Sequence, residues 1–557
     1  MTDEIKQLKG GKFLNRYVIK AKLKALTPFH LGEGLTREPE GMVDEKKNNK
    51  KLKCNTVVTD GNGKAYIPGS SLRGALRDWL RLGYDGMTEN MRGNTADDIA
   101  KSSSLERIFG TQHSEGKLEV WDAYCCPTVI NEPTDVNGQM CFWHKDRMTY
   151  VAKSVAIDPE TGTAEDGKLY NYELVPQGAT FAVTFSAQNL IDEEAKLLLA
   201  VLNGFNHQDN PITIGAMTKL DFGRFSIAGF EIYRLNKTNI GTWRTMAENP
   251  EEKRSGYDLI SDRVFTLSKE ALAELETVVL PAAKTIAKHK ATWTLNLETP
   301  LVIRSGGHFV WKNADRKKTR NYRMEYNWGE TKKTGDYHHV SDLYHSLKIE
   351  GDKVVPYYHV PSSSVRGALR AWTIEHLLKK DQWDIEKYLK PLTDVDLENK
   401  KDDLKRLDQI LDLFGFAVEG KYKAITKKYT KAGRLTIMVD PFTANAVQPD
   451  VDGDWATNGN NDFGPAKAKR HVKPRNPLDR ITNAAKETGL HHNLEFSKDQ
   501  ELKITFKIRK SGISEQDKFD DMLMQAWFND INAGIIRIGG LTGVGRGRLI
   551  DQNSAIE

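Results

Sequence analysis

The sequence predicts an α+β protein built as two related halves, and three observations carry that prediction. Residues 67–81 read IPGSSLRGALRDWLR and residues 360–372 read VPSSSVRGALRAW, so one turn and helix opening is written twice. Each copy follows an alternating segment that runs into Thr-Pro. Each half closes on a glycine-rich loop entering a further strand. A repeat of this size decides the organisation before any local assignment. It gives residues 1–235 as a first domain, 236–290 as a charged linker with a helix around Lys269–Glu276, and 291–557 as a second domain.

The elements follow in order. Tyr17-Val18-Ile19-Lys20-Ala21-Lys22-Leu23-Lys24 alternates with period two before Thr27-Pro28, and Ala291 to Leu297 does so before Thr299-Pro300. That period belongs to a strand with one buried face. Leu31-Gly32-Glu33-Gly34 and Arg304-Ser305-Gly306-Gly307 read as loops. Pro68-Gly69 and Pro361 then punctuate the chain, and Ser70, Ser71, Ser363 and Ser364 are suited to cap first-turn amides. Behind them Leu72, Leu76 and Leu80, and Val365, Leu369 and Thr373, keep helical spacing.

Ile108-Phe109-Gly110 with the run Gly116 to Asp122 matches Leu413-Phe414-Gly415 with the run Gly433 to Asp440. Ile157 to Ala164 matches Leu478 to Ala485, and Leu169 to Glu173 answers Leu490 to Glu495 as the far arm of a hairpin. The closing loops are Ile214 to Phe225 and Ile538 to Leu549.

Composition narrows the classes. The 557 residues are 39% hydrophobic, with 18 Tyr, 20 Phe and 11 Trp, enough for two cores. No apolar run approaches the roughly 20 residues of a membrane span, and the first residues lack a signal-peptide pattern. Four cysteines do not read as a disulfide framework, so a cytoplasmic location is expected. A net charge of +5 permits a nucleic-acid partner without demanding one.

Several residues suit an anionic ligand. In the closing loops, Gly539, Gly540, Gly543 and Gly545 let backbone amides approach a phosphate, with Thr542, Arg546 and Arg548 beside them and Lys219 and Arg224 in the first copy. A tight strand connection with solvated arginines is the other reading. Arg73 and Arg77 are four apart and share a helix face, as do Arg366 and Arg370. The serine hydroxyls and helix-start amides there favour an anion; a capped helix with paired arginines is the alternative. Residues 308–328 interleave Trp311, Tyr322, Tyr326 and Trp328 with cations, a composition suited to stacking on bases while tracking phosphates. A second basic run spans Lys467 to Arg475. Cys125, Cys126, Cys141 and His144 offer soft ligands for structural zinc, but their irregular spacing favours buried thiols.

Together these ordered motifs resemble the repeat-associated (RAMP) backbone proteins of type III CRISPR effector complexes, over nearly all of residues 15–234 and 291–550. The resemblance implies two tandem RRM-like (ferredoxin-like) domains fused in one chain, each with inserted finger segments and a thumb hairpin, near Val155–Leu174 and Pro477–Glu495. It implies crRNA, target RNA and other effector subunits as partners, with no membrane. It also implies an Asp that cleaves target RNA, and Asp342 in Val340-Ser341-Asp342-Leu343 matches that motif best, in a loop before the Pro-Ser-Ser turn. Asp342 would orient the attacking 2′-OH or hold a hydrated divalent cation such as Mg2+, with His338 and His339 near for proton movement. The matching stretch of the first half, Lys53-Cys54-Asn55, has no Asp, and Asp44 and Asp60 only flank it. The first half is therefore expected to bind without cutting. The alternatives are a non-catalytic structural subunit, a stand-alone crRNA-processing endoribonuclease and, unrelated, a nucleotide-binding enzyme using the glycine loops.

Overall fold

The computed structural model describes residues 13–551 apart from 38–42, 45–49, 127–142, 159–163, 237–287, 314–321, 328–337, 419–422, 443–469, 476–490 and a few isolated positions. The linker helix expected around Lys269–Glu276 lies outside the described residues.

Period-two patterning makes the main sheet of each half. In the first, the strands run in the order Phe225–Asn236, Asn15–Ala25, Thr180–Gln188, Ala123–Cys125 and Tyr66–Ile67. Along the central strand Tyr17, Ile19, Ala21 and Leu23 are buried while Lys22 and Lys24 are exposed. The buried face shares one core with Leu72, Leu76 and Leu80 of the helix Gly69–Gly83 and with Leu198 and Leu202 of Asp192–Leu202. The second main sheet runs Leu435–Val439, Glu501–Arg509, Lys288–Leu297, Leu549–Asp551. Its core takes Val365 and Leu369 from Ser362–Leu377 and Leu523 and Trp527 from Ser514–Asn532. Thr373 replaces a leucine on that helix face without leaving a polar orphan. Its hydroxyl donates to the Leu369 carbonyl (2.7 Å) and accepts from the Trp527 indole (3.0 Å).

Each half adds a side sheet with the same pairing. The first runs Gly32–Arg37, Cys54–Val57, Ala164–Leu174, Tyr150–Ile157. The second runs Tyr322–Asn327, Arg304–Asn313, His338–Leu343, His491–Phe496, Arg470–Arg475. In both, one inner pair is parallel: Cys54–Val57 with Ala164–Leu174, and His338–Leu343 with His491–Phe496. The segments at Leu31–Gly34 and Arg304–Gly307, expected as loops, run into strands whose register shifts between Gly32 and Thr36 and between Arg304 and His308. Their glycines mark bulges, which interrupt a ladder without ending it. The hairpin expected near Val155–Leu174 is the antiparallel pair Tyr150–Ile157 and Ala164–Leu174. Its counterpart shows its two arms, Arg470–Arg475 and His491–Phe496, and the stretch between them lies outside the described residues.

The first side sheet is anchored on Glu173. Burial pushes this carboxyl up, but bonds from Arg147 (2.7 Å), Thr149 and the Val57 amide outweigh burial and hold it below its ordinary range. A carboxyl lowered in the fold stabilises it above the unfolded value of about 4.3, and that contribution is lost as pH falls through the folded value. Glu173→Gln is expected to cost about 3–5 kcal/mol at neutral pH. Its thermal midpoint, followed by circular dichroism from about pH 5 to about pH 3, should fall less than that of the parent protein.

The halves are joined by packing as well as by chain. Cys54, Tyr150, Val151 and Leu174 of the first side sheet belong to the core cluster of the second half. The Ile349 amide donates to the Gln177 carbonyl (2.8 Å), and Gln177 returns a bond to Leu347 (3.2 Å). Gly178 sits at φ 87°, where a Cβ would lie 2.5 Å from the Ile349 carbonyl oxygen, so only glycine admits this contact.

Candidate nucleic-acid interface

The repeated Ser-Ser-x-Arg-Gly segments open the helices Gly69–Gly83 and Ser362–Leu377, with Pro68 and Pro361 at the N-caps. No serine hydroxyl caps either helix, contrary to the capping role read from the sequence. In the first half Asp122 does that work, its carboxylate accepting from the Gly69 amide at 2.7 Å. Ser70 and Ser363 are exposed and Ser71 and Ser364 half-buried, so both serine pairs stand at the surface of a helix start.

The arginine pairs divide by role. Arg73 donates to the Phe109 carbonyl at 2.6 Å; Arg366 donates to the Phe414 carbonyl and to Leu435 at 3.0 Å. Each ties its helix to the Phe-Gly turn that the sequence also repeats, and both glycines of those turns, Gly110 and Gly415, have positive φ. The first arginine of each pair therefore builds the fold. The second points to function in one half only. Arg77 is neutralised by Glu89 at 3.1 Å. Arg370 is held below its ordinary range by burial, with no carboxylate opposing the shift.

The closing loops share one backbone. Met217 and Asp221 flank the 3-10 turn Thr218–Leu220 in the left-handed region, as Leu541 and Gly545 flank Thr542–Val544. Gly539 is demanded by close approach: at φ 87° its Cβ would lie 2.5 Å from the Val302 carbonyl oxygen. That glycine thus serves chain packing. Gly540 donates its amide to Val302 (2.7 Å), and Gly543 and Gly545 stand on the outer turn with nothing near their absent side chains.

The loop arginines are paired internally. Arg224 meets Asp221 at 2.6 Å, Arg546 meets the fully buried Glu495 at 2.8 Å, and Arg548 meets Glu298 at 2.7 Å. Burial pushes the Asp221 carboxyl up to about 6 although Arg224 opposes the shift.

Lys219 is the exception. The turn Thr218–Leu220 packs on the strand Leu435–Val439 of the second half. Burial, then the charges of Arg509 and Arg366, hold the Lys219 ammonium below its ordinary range. Arg366 itself is brought down to about 10, by burial first and by Arg370 second. Lys219, Arg366, Arg370 and Arg509 thus form one like-charged cluster where the halves meet. No carboxylate figures among the causes of these three shifts. Sequence reasoning missed Arg509, whose only local signal is its place at the end of a β strand.

Asp342 and His339 lie in the strand His338–Leu343, not in a loop. Leu343 pairs with Arg304 and Ser341 with His308, so Asp342 stands opposite the bulge Ser305-Gly306-Gly307; His339 stands opposite Val310. The bonds Tyr344 N–H to Ile303 and Val58 N–H to Leu31 are equivalent in the two halves, which matches Asp342 to Thr56. Thr56 donates its hydroxyl to Glu33 at 2.5 Å. The side chains of Asp44, Trp311, Tyr322, Tyr326 and Arg470 to Arg475 lie outside the described residues, as does Trp328.

Cys54 and Cys125 are pushed up to about 12 and about 11, chiefly by burial, so both are thiols. Among the described residues no three His, Cys, Asp or Glu converge on a metal position, and Cys141 lies outside them.

No helix among the described residues is long and apolar enough to cross a membrane. Comparison with individually curated proteins gives no match. The family model of the RAMP superfamily matches residues 22–226 and again 294–550, the same two segments that repeat in sequence and in sheet pairing. Such membership carries a CRISPR-associated RNA-binding role, with RNA and other complex subunits as partners. Doubled motif, doubled sheets and doubled family match agree: the chain belongs to the RAMP superfamily, as two RAMP domains in tandem.

Proposed function

We propose that the chain is a guide-binding backbone subunit of a type III CRISPR effector complex, holding crRNA across the junction of its halves and presenting target RNA for cleavage. The cluster of Lys219, Arg366, Arg370 and Arg509 carries this reading. Like charges gathered in a partly buried place repel one another, and a phosphate chain is the anion that offsets them. Exposed Ser70 and Ser363 and the outer amides of Thr542 and Gly543 extend the surface on which that chain lies, while the Gly545 amide closes the turn on the Thr542 carbonyl.

The catalytic part of the reading places Asp342 beside the scissile phosphate. A 2′-OH aligned for attack on the neighbouring phosphorus gains most of its rate from position. Asp342 orients that hydroxyl. His339 is an odd number of residues away in the same strand, which sets it on the other face of the sheet, so the proton is not assigned to it. A hydrated Mg2+ would be held there through the single Asp342 carboxylate rather than by a protein cage. When bound, such an ion supplies charge neutralisation at phosphate oxygens. In the first half Thr56 takes the matching place, which favours binding without cutting there. The stand-alone processing enzyme and the ATP-binding enzyme have no comparable supporting observation.

Purification of the complex from its native source and sequencing of the co-purifying RNA tests the role. A population of short spacer-containing RNAs is expected. An intact complex free of such RNA would falsify the guide-binding reading.

A further inference from the structure

The outer face of the first main sheet carries a row of residues that the guide-binding cluster does not use. Strand register sets Ala228 beside Lys22, Lys22 beside Ala182, Ala182 beside Tyr124, and Tyr124 beside Tyr66. With strands roughly 4.8 Å apart, the row is roughly 19 Å long. Lys22 is exposed and flanked by small residues on both sides, so its stem stands clear of the sheet. Lys24 lies two residues along the same face, between Ser226 and Thr180. At the far end the rings of Tyr66 and Tyr124 stack, centroids 5.7 Å apart and planes 15° from parallel. Tyr124 is 51% exposed and Trp121 close by is 41% exposed.

This face is built differently in the other half. There Thr294 and Asn296 take the places of Lys22 and Lys24, because Leu295 pairs with Leu502 as Leu23 pairs with Phe181. Lys503, on the strand next to Thr294, is drawn to Asp440 at 3.8 Å. The features that repeat belong to the function both halves share. Among the described residues an aromatic pair beside exposed lysines occurs in the first half and not in the second, which points to a task of the first half alone.

Aromatic rings on an open sheet face stack unpaired bases, and cations two or three strands away hold the phosphates that follow. A duplex offers no free base faces to such a wall. Asp122 and Asp60 sit near Tyr66, where, after burial, they help hold its phenol above the ordinary value. These acids turn phosphates away from the tyrosine end, so the backbone of a bound strand follows the lysines and its bases face the rings. We infer that the first main sheet is a second nucleic-acid site, which takes an unpaired strand outside the guide track, with bases on Tyr66 and Tyr124 and phosphates at Lys22 and Lys24. It goes beyond guide binding and stands whether or not Asp342 cuts. Nothing in the row selects the sugar, so RNA and DNA are both admitted.

The test uses the full chain in its purified, guide-loaded complex and a fluorescent oligouridine of about 12 nucleotides, not complementary to the guide. Anisotropy titration should show Tyr66→Ala/Tyr124→Ala binding about tenfold or more weakly. Lys22→Ala/Lys24→Ala should lower the slope of log affinity against log salt by about 1.4. All four side chains stand at the surface, and an unchanged thermal midpoint checks the fold. Oligothymidine should bind within about threefold of oligouridine, and a duplex of equal length at least about tenfold more weakly. Unchanged affinity in the folded tyrosine variant overturns the site, as does equal binding of the duplex. Binding of the probe only after the guide has been stripped from the complex would place the strand on the guide track instead and overturn it too.

Discussion

Asp342→Ala is expected to remove one target-cleavage position from the assembled complex while leaving guide and target affinity nearly unchanged. A group that orients the attacking hydroxyl acts mainly in the transition state, so its loss lowers rate rather than binding. The drop at that position should be about a hundredfold or more. It is read as a missing band when end-labelled RNA complementary to the guide is incubated with the complex. Asp44→Ala and Cys54→Ala should leave the ladder as it is. A Mg2+ titration and a chelator control then separate metal-assisted from positional catalysis. Full cleavage at every position by the Asp342→Ala complex would remove Asp342 from the chemistry and leave the RNA-binding role standing.

Lys219→Ala/Arg370→Ala should release the guide. If each cation meets one phosphate of a single strand, the salt slope falls by about 1.4, and at moderate salt little guide remains bound in a filter assay. The same variant has an opposite effect on the RNA-free chain, because removing two charges from a like-charged cluster relieves repulsion. Its thermal midpoint should hold or rise. A purely structural role predicts a fall, so the two measurements together decide. A pH series gives a further sign. Lys219 is lowered in the fold relative to the unfolded chain, whose lysines titrate near about 10.4. Over that range the unfolded chain binds more protons. The RNA-free parent should therefore gain stability as pH rises through alkaline values, and the variant should gain less.

Much of the architecture was legible because repetition is a property of the chain itself. Alternation at Tyr17–Lys24 could only mean a strand with one buried face, and Leu72, Leu76 and Leu80 could only share a helix stripe. Tyr17, Ile19 and the leucines are in the core as that pattern requires, and the one departure in these stretches is Val18, buried on the other face of the strand. The side sheets were less legible. Gly32 and Gly306 read as loop residues because a bulge and a turn ask the same conformational freedom of glycine. Asp342 was assigned to a loop, yet its strand is held between an antiparallel neighbour, Arg304–Asn313, and a parallel partner some 150 residues later in the chain, His491–Phe496, and no local pattern announces that second partner.

The amino-acid sequence by itself determined that this protein is two copies of one unit, since ordered identities survive whatever the chain does in space. It also determined which residue types were available to meet an anion. Which of those residues are free to do so was a tertiary matter. Arg73, Arg366, Arg546 and Arg548 look alike on paper, yet backbone carbonyls or carboxylates from distant segments satisfy each of them, while Arg224 is paired within its own loop by Asp221. Lys219 was legible only as one cation of a closing loop, Arg509 only as the end of a strand, and Arg370 had nothing to set it apart from its neighbours. They gain their meaning because packing of the first closing loop on the second sheet brings like charges together. Pairing and burial decide a charge's work, and both depend on contacts between residues far apart in the chain.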